Sequence, residues 1–184
     1  MAGDLPDLVF LGYCAKRSFK GVASVSECLS KRPDQWVERW DFNRATCWNT
    51  EAEAWASVPD ESKPEFKVVA YRILPVLFDT SGVEKAVTID QLFPADKPEL
   101  PSATPPYPQL GYDVVERDVA TGMLGFGCSP LSCNGMAESV QVNEFCLIED
   151  METALATARR FGVEQPEPGP YVIVEVLARP SRAR

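Results

Sequence analysis

The chain contains no histidine. That absence removes the usual general base near neutral pH and the commonest metal ligand, so imidazole-based triads and histidine-ligated metal centres are excluded. Long apolar runs are also missing. Nothing approaches the roughly 18 consecutive apolar residues that a membrane helix needs. The amino-terminal stretch "MAGDLPDLVFLGYCAKR" has only the short run Leu8–Leu11 and lacks the charged n-region and h-region of a signal peptide. A soluble, cytoplasmic protein is expected. Basic residues are scarce: 18 Lys and Arg stand against 27 Asp and Glu, for a net charge of −9. Such a balance opposes binding to nucleic acid or anionic lipid and favours a basic protein partner.

Glycine and cysteine patterns that would imply a cofactor are incomplete. "GMLGFG" at 122–127 lacks the Lys and the helix that must follow a phosphate-binding loop, so it reads as a turn. Cys128 and Cys133 have C-x₄-C spacing but no second cysteine pair beside them, so no metal site is expected. Neither metal nor cofactor is therefore assigned. The six cysteines are expected to be thiols, with Cys28, Cys47, Cys128 and Cys146 buried and Cys133 the most reachable. If a helix begins at Asn134, its free N–H groups would favour a thiolate at Cys133, with Asp113 or Glu138 as the available base. That makes Cys133 and Cys128 the candidates for a thiol-dependent enzyme or redox regulator.

The chain does hold a proline-rich connector, "PADKPELPSATPPYP", whose six prolines interrupt both helix and strand. It separates a first half, 1–93, from a second, 110–184, with 94–109 as the link between them. The halves share punctuation. "LGY" at Leu11–Tyr13 recurs at Leu110–Tyr112, Cys28, Glu38 and Asn43 reappear as Cys128, Glu138 and Asn143, and "EAEAWAS" at 51–57 lies opposite "METALAT" at 151–157. Cys47 matches Cys146, and "EFKVVAYRILP" (65–75) lies opposite "PYVIVEVLARP" (170–180). The collinear order predicts an α+β fold of internally duplicated strand-helix-strand units, packed about a pseudo-twofold axis as one domain.

Each half reads strand, loop with short helix, strand, helix, strand. "LVFLGYCAKR" and "FKVVAYRILPVLF" are predicted strands, and Pro33 suits the first position of a helix carrying Trp36 and Trp40 on one face. Thr50 and Glu53 form a capping box that opens a helix to about Ser57. "DVVERDVATGMLGFG" is predicted as a hairpin turning at Thr121–Gly122. Asp150 caps a helix over 151–161 with Gly162 at its C′ position, and "YVIVEVLA" closes the sheet. Asn43 and Asn143 should hydrogen-bond backbone just before a strand.

All four tryptophans, Trp36, Trp40, Trp48 and Trp55, fall in the first half, opposite Met136, Val140, Leu147 and Leu155. Core packing accounts for buried ones, whereas any that are exposed are natural anchors for a protein partner. The function expected is a non-catalytic, acidic binding protein, of inhibitor or immunity type, that engages a basic protein. Two alternatives stand beside it: the thiol chemistry of Cys133 and Cys128, and a small-ligand sensor with its pocket between the halves.

Overall fold

The computed structural model describes residues 5–17, 47–93, 100–117, 128–133 and 139–179. Their elements run β1 (Val9–Arg17), α1 (Glu51–Ala56), β2 (Phe66–Phe78), β3 (Glu84–Ala86), α2 (Ile89–Leu92), β4 (Gln109–Glu116), α3 (Pro130–Cys133), α4 (Met151–Glu164) and β5 (Tyr171–Ala178). The strands make one antiparallel sheet in the order β1-β2-β5-β4, with β3 added to the end of β2 beyond β1. This is an α+β architecture. The helix with Trp36 and Trp40, the hairpin at Thr121–Gly122, Cys28, Asn43 and the tail after Arg179 lie outside the described residues.

β2 and β5 occupy the centre because their sequences are apolar on both faces. Val69, Tyr71 and Ile73 of β2 join Val172, Val174 and Val176 of β5 in a core closed by Leu92, Phe93 and Leu147. On the other face Leu74, Tyr171 and Ile173 meet Ala154, Leu155, Ala158 and Phe161 of α4. α4 presents small residues at a spacing of four, which lets its backbone approach the sheet. Pro75 lies inside β2, and the ladder between β2 and β5 slips between Leu74 and Phe78, next to the residue that has no N–H to donate.

β1 pairs with β2, and β4 with β5. Gly12 stands opposite Tyr71, and Gly111 opposite Val176. In each pair the register slips immediately before the glycine, between Phe10 and Gly12 and between Gln109 and Gly111. Both glycines have positive φ, +132° and +148°. Beside each, a returning segment pairs with the free edge of the strand through one bridge, Tyr13 with Trp48 and Tyr112 with Ile148. The middle strand expected in each half is thus a single bridging residue. Trp48 stands where Ile148 stands, and the Cβ of Cys47 faces Gly12 as that of Leu147 faces Gly111. The alignment of Cys47 with Cys146 and of Trp48 with Leu147 is therefore displaced by one residue.

The second-half helix is longer than 151–161. α4 runs to Glu164, and Gln165, not Gly162, takes the left-handed cap at φ 49°. Gly162 is glycine for a different reason: a Cβ there would lie 2.8 Å from the carbonyl oxygen of Asp79, where the helix touches the turn after β2. The Gln165 side chain compensates for its own conformation by donating to the Gly162 carbonyl at 2.7 Å and accepting from the Gly169 N–H at 2.9 Å. Asn143 bonds to backbone as expected, but ahead of the single bridge residue Ile148 and not of a strand: its Nδ2 donates to the Leu110 carbonyl at 2.7 Å, and its Oδ1 accepts from the N–H groups of Phe145 and Leu147. No helix among the described residues is long and apolar enough to cross a membrane.

Candidate functional site

α1 is short, and its position is set at its first turn. The Thr50 hydroxyl accepts from the Glu53 N–H at 3.2 Å, while the Glu53 carboxylate accepts from the Thr50 N–H at 2.9 Å. That box fixes where Glu51 and Trp55 project. Glu51 is held from two sides: the Tyr107 hydroxyl donates to one oxygen at 2.5 Å, and Arg179 donates to the other at 3.1 Å. Tyr107 comes from the proline-rich connector and Arg179 from the end of β5, so three distant segments meet at one carboxylate. Behind Tyr107, Tyr13 and Phe10 continue an edge-to-face series with ring centroids 6.4 Å and 5.4 Å apart.

The environment shows in the phenols. Burial, with the Glu51 hydrogen bond and charge beside it, pushes Tyr107 up to about 12. Tyr13 is raised by burial and by the same carboxylate. Since Glu51 already has a donor on each oxygen, it serves as a fixed negative anchor more readily than as a mobile base.

Next to this anchor lies an open groove of about 640 Å³. Trp55, Phe66, Val68 and Ala178 supply its apolar surface, and Glu51, Lys67 and Arg179 its charged rim. Trp55 remains 37% exposed, and the Lys63 ammonium stands 6.0 Å from its ring centroid. Glu53, Asp60 and Glu61 are exposed nearby along the chain. The groove therefore presents an aromatic face with a rim of mixed charge to an occupant.

Other polar clusters are internally balanced. Glu175, 2% exposed, is paired with Arg72 and accepts from Tyr112 at 3.4 Å, joining β2, β5 and β4 across one face of the sheet. The Ser129 hydroxyl donates to buried Asp113 at 2.5 Å. Arg117 donates to the Leu92 carbonyl and lies 4.6 Å from the Phe93 ring centroid. Glu175 and Asp113 thus each have a hydrogen-bonding partner, as burial requires.

The residues singled out by sequence are dispersed. Of the tryptophans, Trp36 and Trp40 lie outside the described residues, Trp48 is half-buried at its bridge to Tyr13, and Trp55 lines the groove. Cys128 is half-buried, and its N–H points to the Glu116 carboxylate at 3.4 Å. Cys133 is the last residue of α3, at the carbonyl end of that helix. A helix starting at Asn134 lies outside the described residues. Cys146 is buried, whereas Cys47 is half-buried. The sequence reading did not identify Glu51, Tyr107 or Arg179 as a group. A lone aromatic among six prolines was the available signal for Tyr107. Comparison of the chain with protein-family models, with curated proteins and with solved structures found no match.

Proposed function

We propose that the chain is a non-catalytic cytoplasmic binding protein, of inhibitor or immunity type, which receives a basic protein partner at the groove beside α1. The observation that carries this reading is Trp55, left 37% exposed on the groove wall of a protein with net charge −9. An exposed tryptophan beside a preformed apolar surface is the usual composition of an interface anchor, and the net negative charge of the chain would steer a cationic partner toward it. Partners are to be captured from the source cell and their binding measured against salt. Trp55→Ala should weaken binding by at least about 2 kcal/mol while the urea midpoint stays in place, and salt should act mainly on the association rate. Binding that is unaffected by Trp55→Ala, or an association rate indifferent to salt, would remove the groove from the interaction.

A small-ligand reading is favoured by one feature, the lining of the groove by both halves: Glu51 to Val68 from the first, Ala178 and Arg179 from the second. We also propose that these halves are copies of one strand-helix-strand unit, related by an axis passing between Tyr71 and Val176. Three observations support this reading. The two outer pairs have the same register once residues are matched at Gly12 with Gly111 and Tyr71 with Val176. Their slips fall at the same place. Thr50 and Asp150 cap α1 and α4 at matching positions just after the bridges.

A further inference from the structure

Cys14 and Cys47 have no role in the groove, yet they are placed together by the backbone. Tyr13 and Trp48 exchange both of their hydrogen bonds at 2.8 Å, forming an antiparallel hydrogen-bonded pair. The next residues along the two segments, Cys14 and Cys47, consequently stand at a non-hydrogen-bonded position, where facing Cα atoms are about 4.5 Å apart. A disulfide spans Cα separations of about 4.4–6.8 Å, a range that includes the spacing such a position has. Both side chains are on the same face of the sheet: Cys14 belongs to the core around Tyr71 and Val176, and Cys47 packs against that core.

We propose that Cys14 and Cys47 are a reversible thiol–disulfide pair that staples the segment before α1 to β1. The supporting chemistry is local. The two thiols share a hydrogen bond, which together with burial holds the Cys47 thiol well above its ordinary range, and the charge of Lys16 offsets this only in part. Lys16 is itself only 6% exposed, so its charge is little screened by solvent. Cys47 is half-buried and Cys14 is 4% exposed, which makes Cys47 the first to react.

The oxidant is a low-molecular-weight disulfide, RSSR. Cys47 loses its proton, its thiolate attacks one sulfur of RSSR, and the S–S bond breaks to release RS⁻ and leave Cys47 as a mixed disulfide. Cys14 then loses its proton and attacks Sγ of Cys47, expelling the second RS⁻. Two protein thiols become one disulfide, and RSSR is reduced to two RSH that take up the two protons. Matching positions in the second half hold Asp113 and Leu147, so the staple belongs to the first half alone. It tethers to β1 the segment that carries Trp48 and the Thr50 cap. The pair is independent of what the groove binds.

The test uses the full-length, reduced, native protein equilibrated over a series of ratios of reduced to oxidised glutathione. The remaining thiols are alkylated at low pH, and the digested protein is read by mass spectrometry. A Cys14–Cys47-linked peptide should accumulate as the ratio becomes oxidising, with two of the six cysteines lost to alkylation and recovered by dithiothreitol. Cys14→Ser should stop at a Cys47–glutathione mixed disulfide, and Cys47→Ser should leave Cys14 unmodified. If Cys14→Ser fails to fold, Cys47→Ser and the wild-type linkage map carry the test. Six alkylatable cysteines at the most oxidising ratio would overturn the proposal, as would a linkage of Cys47 to any cysteine other than Cys14, or one that forms only in urea.

Discussion

A methyl group added at Gly12 would lie 2.5 Å from the Trp48 carbonyl oxygen, and one at Gly111 would lie 2.7 Å from that of Ile148. Both positions also hold φ values that L side chains rarely adopt. Gly12→Ala and Gly111→Ala are each expected to cost about 2–4 kcal/mol, combining backbone strain with displacement of the bridging residue. Urea unfolding measures it, and a loss under about 0.5 kcal/mol at either site would mean the bridge simply swings away. The recurrence of "LGY" was legible in the sequence, but its cause was not, because the atoms that exclude a side chain come from residues 48 and 148. Glu51 was hidden for the same reason: its donors, Tyr107 and Arg179, are remote in the chain. Their meeting is testable by titration. With folded values of about 12 for Tyr107 and Tyr171, raised chiefly by burial, the folded state retains protons that an unfolded tyrosine would release near 10. Stability from these phenols is therefore complete below pH about 10 and is lost as pH rises from about 10 to about 12. Absorbance titration should show phenolate formation delayed into that window, and Glu51→Gln should bring the Tyr107 step, and with it that of Tyr13, down toward 10. An unchanged curve in Glu51→Gln would separate Tyr107 from that carboxylate.

At the scale of elements, sequence signals were readable where a segment carries its own instructions. The T-x-x-E box at Thr50 and Glu53 and the Asp150 cap are local devices, and both helices start where those residues place them. Thr50→Ala should cost about 1 kcal/mol. β2 was legible to its ends as a strand rich in β-branched and aromatic residues. β3 and α2 were not foreseen, since three and four residues give no periodicity to read. Even so, α2 opens with a capping box at Thr88 and Gln91, a signal present in the sequence. The end of α4 was misplaced because Gly is the commonest C′ residue. Here, tertiary contact decides: Gly162 sits against the turn at Asp79. This reverses an ordinary expectation. Gly→Ala inside an exposed helix normally gains about 1 kcal/mol. Gly162→Ala should instead lose about 1–3 kcal/mol, because the new Cβ meets backbone at 2.8 Å and must push the helix off the sheet. A stabilised variant in thermal or urea unfolding would show that α4 has room to shift.

For the whole molecule, the decisive contact is the pairing of β2 with β5, which joins residues before and after the proline-rich connector in the middle of a single sheet. A boundary at 94–109 separates the chain in sequence. In space, β2 has β1 on one edge and β5 on the other, so neither half keeps its central strand fully paired without the other. An unpaired strand edge is costly, and cores on both faces draw residues from both halves. Unfolding is therefore expected to be one cooperative transition, with the slowest-exchanging amides in β2 and β5 together. The stringent form of this prediction perturbs one half and observes the other. Phe161 of α4 is fully buried against Tyr171 of β5, with ring centroids 5.9 Å apart. Phe161→Ala should cost about 3–5 kcal/mol. If the halves open only together, amides of β1 and β2 in the first half should exchange faster by the same factor as those of β4 and β5, on the order of 10²–10³ or more. Acceleration confined to α4, β4 and β5, with β1 and β2 unchanged, would instead mean two units that open separately, and the groove lined by Trp55 and Arg179 would then lose one wall whenever the second half opened.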